Sequence, residues 1–155
     1  MITETAITGS EPTEGDISSP IYALIEFYRA FNNADIELMS RNWQQTDEAS
    51  MSNPLGGVKR GWESIAQVYA RIFSSTAQVY VEFYDYTIHQ SDGMFLAVGR
   101  ERGYFRQGDN EIELSIRTSR TFRMDGGMWR QVHHHGSIES PVLLQQYQTA
   151  VLKKI

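Results

Sequence analysis

The chain has no cysteine among its 155 residues. That absence excludes disulfides, a thiolate nucleophile and any cysteine-ligated zinc, and it is compatible with a reducing cytoplasm. Positive charge is also scarce. Fourteen Lys and Arg stand against nineteen Asp and Glu, a net charge of −5, which works against the phosphate attraction that nucleic acids and anionic membranes depend on. No apolar run approaches the roughly 18 residues of a membrane span. The start, MITETAITGSEPTEGDISS, has neither the basic nor the apolar region of a signal peptide. The expectation is a soluble cytoplasmic protein with no nucleic-acid or membrane partner. What the chain does have is 41% hydrophobic and 12% aromatic residues. A domain of this length can bury about 68–70% of its unfolded surface, enough for one self-sufficient core.

Residues 1–18 are mostly Thr, Ser, Glu, Gly and Pro, a composition that buries little and predicts a flexible tail, mobile or weakly packed. One domain is expected over 19–155. Ser19 and Pro20 read as an N-cap and first-turn proline. Ile21, Leu24, Ile25, Tyr28 and Phe31 follow at helical spacing, so a first helix is predicted up to Asn32 and Asn33. Asp35 caps a second helix in which Ile36, Met39 and Trp43 share a face, and SNPLGG at 52–57 breaks the chain. From Trp62 the positions Ile65, Val68, Tyr69, Ile72 and Phe73 give a third amphipathic helix.

After residue 77 the period changes from 3.6 to 2. QVYVEFYDYTIHQ, MFLAVGRERGYFR, EIELSIRTSRTFRM and MWRQVHHHGSI read as four long strands joined by the turns SDG, QGDN and DGG, an antiparallel meander. A short C-terminal helix is expected in PVLLQQYQTAVLKKI. Helices followed by an antiparallel sheet place the chain in the α+β class, with one sheet face under the helices and the other left to solvent or a partner subunit.

The segment SRTFRMDGGMWRQVHHHGS at 119–137 is similar to the last two strands of the association domain of calcium/calmodulin-dependent protein kinase II. FNNADIEL between the first two helices and NPLGG before the third extend the resemblance to the SnoaL-like, nuclear transport factor 2-like superfamily over residues 20 to about 140. The resemblance implies a cone-shaped, cystatin-like fold in which a curved sheet wraps three N-terminal helices around a pocket, usually as a homodimer through the sheet. Its members include isomerases, cyclases, dehydratases and noncatalytic assembly modules, so fold alone does not name an activity. Ketosteroid isomerases of this fold carry an aspartate base where this chain has Asn53, and the position of their oxyanion-donor tyrosine falls on Phe27, with Tyr28 beside it. A carboxamide does not accept a proton at neutral pH, so steroid isomerisation is not expected.

Strand alternation divides the histidine run. His133 and His135 point one way with Gln131 and Ser137, and His134 points the other way with Val132. Three imidazoles on one metal are thereby excluded, a zinc site needs more ligands than the remaining pair supplies, and no metal or other cofactor is expected. The resemblance puts His133, His135 and Arg120 at the pocket. Arg100, on one face with Leu96 and Val98, is either an edge residue extending to solvent or a cavity arginine. Asn53 and Trp43 complete the expected ligand pocket, with Trp43 an aromatic wall at its mouth. If the arginines converge with the histidine pair, the pocket favours a small anion such as a carboxylate. Two functions remain open: a pocket protein binding a small molecule, enzymatic or not, with His-based acid–base chemistry, and a noncatalytic oligomerisation module.

Overall fold

The computed structural model describes residues 2–3, 5–12 and 15–152. Strand β1 (Ile2–Thr3) precedes helix α1 (Pro20–Asn32) and helix α2 (Ile36–Asn42). The Ser19 hydroxyl accepts from the Tyr22 amide at 3.1 Å, with proline in the first turn, and the Asp35 carboxylate accepts from Leu38 at 3.0 Å. Each side chain satisfies an amide that the helix cannot, which is why both helices begin where they do. Two short strands, β2 (Ser50–Ser52) and β3 (Lys59–Arg60), flank the NPLGG turn in the stretch read as a break, and α3 (Trp62–Ser74) follows.

The long strands are β4 (Gln78–Gln90), β5 (Met94–Gln107), β6 (Asn110–Asp125) and β7 (Met128–Ile138), and the chain ends in α4 (Pro141–Leu152). Among the described residues the sheet order is β1-β4-β5-β6-β7-β2-β3, antiparallel throughout except that β2 runs parallel to β7. The sheet is curved and unclosed. Part of that curvature comes from a register shift in β4, where Asp85 takes φ 49° between Tyr84 and Thr87. An extra residue in one strand raises local twist and bends the sheet. Gly103 in β5 admits close approach of the neighbouring strand, since a Cβ there would lie 1.8 Å from the Tyr80 carbonyl oxygen.

A second shift decides the site. In β7, Gln131 faces Phe122 while His133 faces Thr121, so Val132 is an extra residue without an opposite number. Beyond the bulge the inward positions are His134, Gly136 and Ile138, all buried, while His135 is exposed. Helices α1 and α4 pack on the inner face of the sheet, against β4, β6 and β7. The buried set between the layers is dominated by aromatics, including Phe27, Tyr28, Trp43, Phe83, Phe95 and Phe122, each at most 1% exposed. Burial of this kind supplies most of the drive to fold.

Part of the stretch read as a tail is seated on this core. Ile7 is buried and exchanges backbone hydrogen bonds with Phe83 at 2.8 and 2.9 Å. Arg29 of α1 donates to the carbonyls of Gly9 and Glu11, and Asn32 donates to that of Thr8 at 2.8 Å. In α4, Tyr147 and Val151 turn inward and Val142 stays exposed. Among the described residues no helix is long and apolar enough to cross a membrane.

Candidate functional site

Between α1, α3, α4 and the inner face of the sheet lies a cavity of about 50 Å³. Its walls are apolar: Phe27 from α1, Val68 and Ile72 from α3, Leu55 from the turn before β3, and Leu114 and Ile116 from β6. Three ionisable side chains reach it from adjacent strands, Glu101 of β5, Arg120 of β6 and His134 of β7. Arg120 and His134 are directly opposite each other across the β6–β7 ladder. Tyr147 of α4 closes the cavity on the far side, and Gln148 holds that helix to the turn by donating to the Pro54 carbonyl at 3.1 Å.

Arg120 organises the polar end. It is 2% exposed, its Nη2 donates to Glu101 Oε2 at 2.9 Å and its Nη1 to Gln131 Oε1 at 2.9 Å. Nε donates to the Tyr28 hydroxyl at 3.3 Å, and the guanidinium lies 3.6 Å from the centre of the Phe27 ring. The Tyr28 hydroxyl donates to the same acceptor, Glu101 Oε2, at 2.5 Å. Behind them Gln131 donates to Asn42 Oδ1 at 3.1 Å, and Asn42 donates to the Ala23 carbonyl at 2.9 Å. The charge is therefore enclosed in a chain of committed donors and acceptors, the condition under which a buried ion pair is tolerated. Both recorded bonds to Glu101 fall on Oε2, so among the described residues Oε1 has no hydrogen-bond partner.

These surroundings set protonation. Burial pushes the Tyr28 phenol well above its ordinary value, with the Glu101 charge adding to the effect, so it remains a donor. Burial likewise pushes Tyr69 up to about 12. Burial opposes the charge of Arg120, yet the oxygens of Tyr28, Glu101 and Tyr69 hold its value above that of a free arginine. His134 is driven well below the usual imidazole range, first by burial and then by the Arg120 charge. It sits as neutral imidazole whose Nδ1 has no hydrogen-bond partner. Gly136 makes room for its ring, because a Cβ there would meet Nε2 at 3.1 Å and the Pro54 ring at 3.3 Å.

Of the residues expected at the pocket, Arg120 and Asn53 line the cavity. The Asn53 carboxamide is already occupied, accepting from the Leu55 amide at 3.0 Å. His133 and His135 do not line it. The bulge at Val132 inverts the expected parity, leaving His133 half-buried on the outer side, with Nδ1 2.8 Å from the Ser50 hydroxyl, and His135 exposed. Arg100 also lies outside, half-exposed and paired with Asp85 at 3.3 Å. Trp43 is fully buried one layer behind the wall, 6.4 Å from both Trp62 and Tyr69 ring to ring, and does not form the mouth. Glu101 was not among the residues expected at the pocket. The available signal was the inward period Phe95, Ala97, Glu101, Phe105, whose members are more apolar apart from the carboxylate than the Leu96, Val98, Arg100 set. Among the described residues no group of three or more His, Asp or Glu side chains is placed to hold a metal ion.

Comparison with known proteins gives the same fold from several directions. A candidate dehydratase of the nuclear transport factor 2-like family from Streptomyces avermitilis is 19% identical over 81% of this chain and 97% of its own, with a TM-score of 0.71. A candidate calcium/calmodulin-dependent protein kinase II association domain from Thiobacillus denitrificans is 20% identical over 82% and 100%, with a TM-score of 0.70. A ketosteroid isomerase-like protein from Erwinia carotovora is 20% identical over 83% and 99%, with a TM-score of 0.67. At these identities the likeness concerns fold. No curated protein matches the chain. The profile of the SnoaL-like domain matches residues 22–141, which takes in every cavity residue except Tyr147, and the chain belongs to the SnoaL-like domain family.

Proposed function

We propose that this protein binds a small molecule in the cavity beneath α4 and acts on it by proton transfer, with Glu101 as the proton acceptor and His134 as its companion. The observation that carries the reading is a buried carboxylate with one unbonded oxygen at the polar end of a largely apolar chamber. Such groups are expensive to bury and concentrate at functional sites. Arg120 and Tyr28 hold the carboxylate in place, and a neutral imidazole can accept or relay a proton at neutral pH. Steroid isomerisation is not part of the proposal, because Asn53 offers no base at the loop. Turnover of a 5-ene-3-ketosteroid that vanishes on changing Asn53 would contradict that exclusion.

Native mass spectrometry of the purified protein tests binding directly, the expected result being a co-purified small molecule. Proton exchange into that molecule in D2O, followed by NMR and abolished in Glu101→Gln, tests the chemistry. Binding without exchange would reduce the protein to a carrier. The second reading is a noncatalytic oligomerisation module, favoured by the likeness to the candidate association domain. A cytoplasmic homodimer through the outer sheet face, where Val98, Arg100 and His135 are exposed, is consistent with either reading. A ring of many subunits in solution, measured by light scattering, would favour the second.

A further inference from the structure

We infer that the cavity selects an uncharged ligand carrying a hydroxyl or N–H donor and rejects carboxylates, contrary to what an arginine at the pocket suggests. The inference rests on the proposed reading of this cavity as the ligand site and specifies the chemistry it accepts. Arg120 is the cavity's one buried cation among the described residues, and three of its five N–H donors are already engaged, by Tyr28, Gln131 and Glu101. Phe27 covers one face of the guanidinium at 3.6 Å. The Glu101 carboxylate cancels its charge at 2.9 Å, and His134 contributes none, its buried ring being neutral at neutral pH. The polar end therefore has no net charge to offer an anion. A ligand carboxylate would lose its hydration while being placed beside the Glu101 carboxylate. What the wall lacks is a donor for Glu101 Oε1, and an alcohol, phenol or amide supplies one in a charge-assisted bond.

Size sets a second condition. The chamber of about 50 Å³ is roughly a third of the ~150 Å³ cavity known to hold benzene. It shares Ile72, Val79 and Tyr147 with an outer groove of about 340 Å³ between α3 and α4. A ring-sized ligand thus needs more room than the chamber holds, and displacement of Tyr147, which lines both spaces, would supply it.

The test uses matched probes on the intact protein: propionamide against propionate, and benzamide against benzoate, followed by amide chemical shifts at pH 7.5. The expected result is that the amides bind at least about tenfold more tightly than the carboxylates and perturb residues around Glu101 and His134. Tyr147→Ala should strengthen benzamide binding more than propionamide binding. Glu101→Gln leaves the Arg120 charge uncompensated and should shift the preference toward benzoate. If that variant does not fold, the wild-type ranking of the matched pairs decides alone. Carboxylates binding as tightly as the amides, at the cavity, would overturn the inference and leave the cavity as a ligand site. No binding by any probe, to wild type or Tyr147→Ala, would overturn both.

Discussion

Replacing Glu101 by Gln keeps the shape of the side chain and removes the counter-ion of Arg120. In the folded protein the two side chains are 5% and 3% exposed and meet at 2.9 Å, so the guanidinium cannot recover hydration, and it does not shed its proton. Breaking a buried pair from one side costs about 3–5 kcal/mol. For a domain of this size, at ~2–4 °C per kcal/mol, the melting temperature should fall by roughly 6–20 °C. Arg120→Met leaves the carboxylate without its partner instead and should also be destabilised. The double variant Arg120→Met with Glu101→Leu removes both charges and should lie within about 2 kcal/mol of wild type, on either side. Urea unfolding monitored by circular dichroism of wild type, Glu101→Leu, Arg120→Met and this double variant gives all four corners of the cycle. A coupling energy below about 0.5 kcal/mol would refute the claim that this pair is the polar centre of the core. A double variant as stable as wild type would mean that folding does not require the pair, and would leave ligand recognition as the reason for keeping it.

Three further outcomes follow from particular contacts. His134 is neutral when folded but takes a proton in the unfolded chain below its ordinary value near 6.5. Stability should therefore be full above that pH and fall as pH drops through 6.5 toward the lower folded value, by about 1.4 kcal/mol at pH 5.5. That loss should be absent in His134→Leu, and equal pH slopes for the two proteins would contradict the burial of this ring. Gly103→Ala forces a Cβ to within 1.8 Å of the Tyr80 carbonyl. It should prise β4 from β5 and lower the urea midpoint by more than a surface Gly→Ala change does, and an unchanged midpoint would refute the close approach. Arg29→Ala removes the anchor of the Gly9 and Glu11 carbonyls. It should speed hydrogen exchange at the Ile7 amide, which bonds to Phe83, without altering exchange in the β5–β6 ladder.

The elements were legible because each carries its own periodic and capping chemistry. Ser19 with Pro20 starts α1, Asp35 starts α2, and the change of period after residue 77 marks the meander. The resemblance carried by the last two strands then led to the superfamily. The candidate site was legible only in part. Arg120 and Asn53 reach the cavity, but His133, His135, Arg100 and Trp43 do not line it, and Glu101 was not among the residues expected there.

Sequence by itself determined the class of fold, the order of helices and strands, and which residue types were available for chemistry. Those are local properties, set by side-chain period, turn residues and composition. Tertiary structure decided which of the available residues meet. A single extra residue at Val132 exchanges the inward histidine, and alternation cannot register an insertion that is defined only by the partner strand. The pairing of Arg120 with Glu101 and Tyr28 joins residues up to 92 positions apart. It turns an apparent anion site into a neutral one, because the charge a ligand meets is the sum over all neighbours and not the property of one side chain.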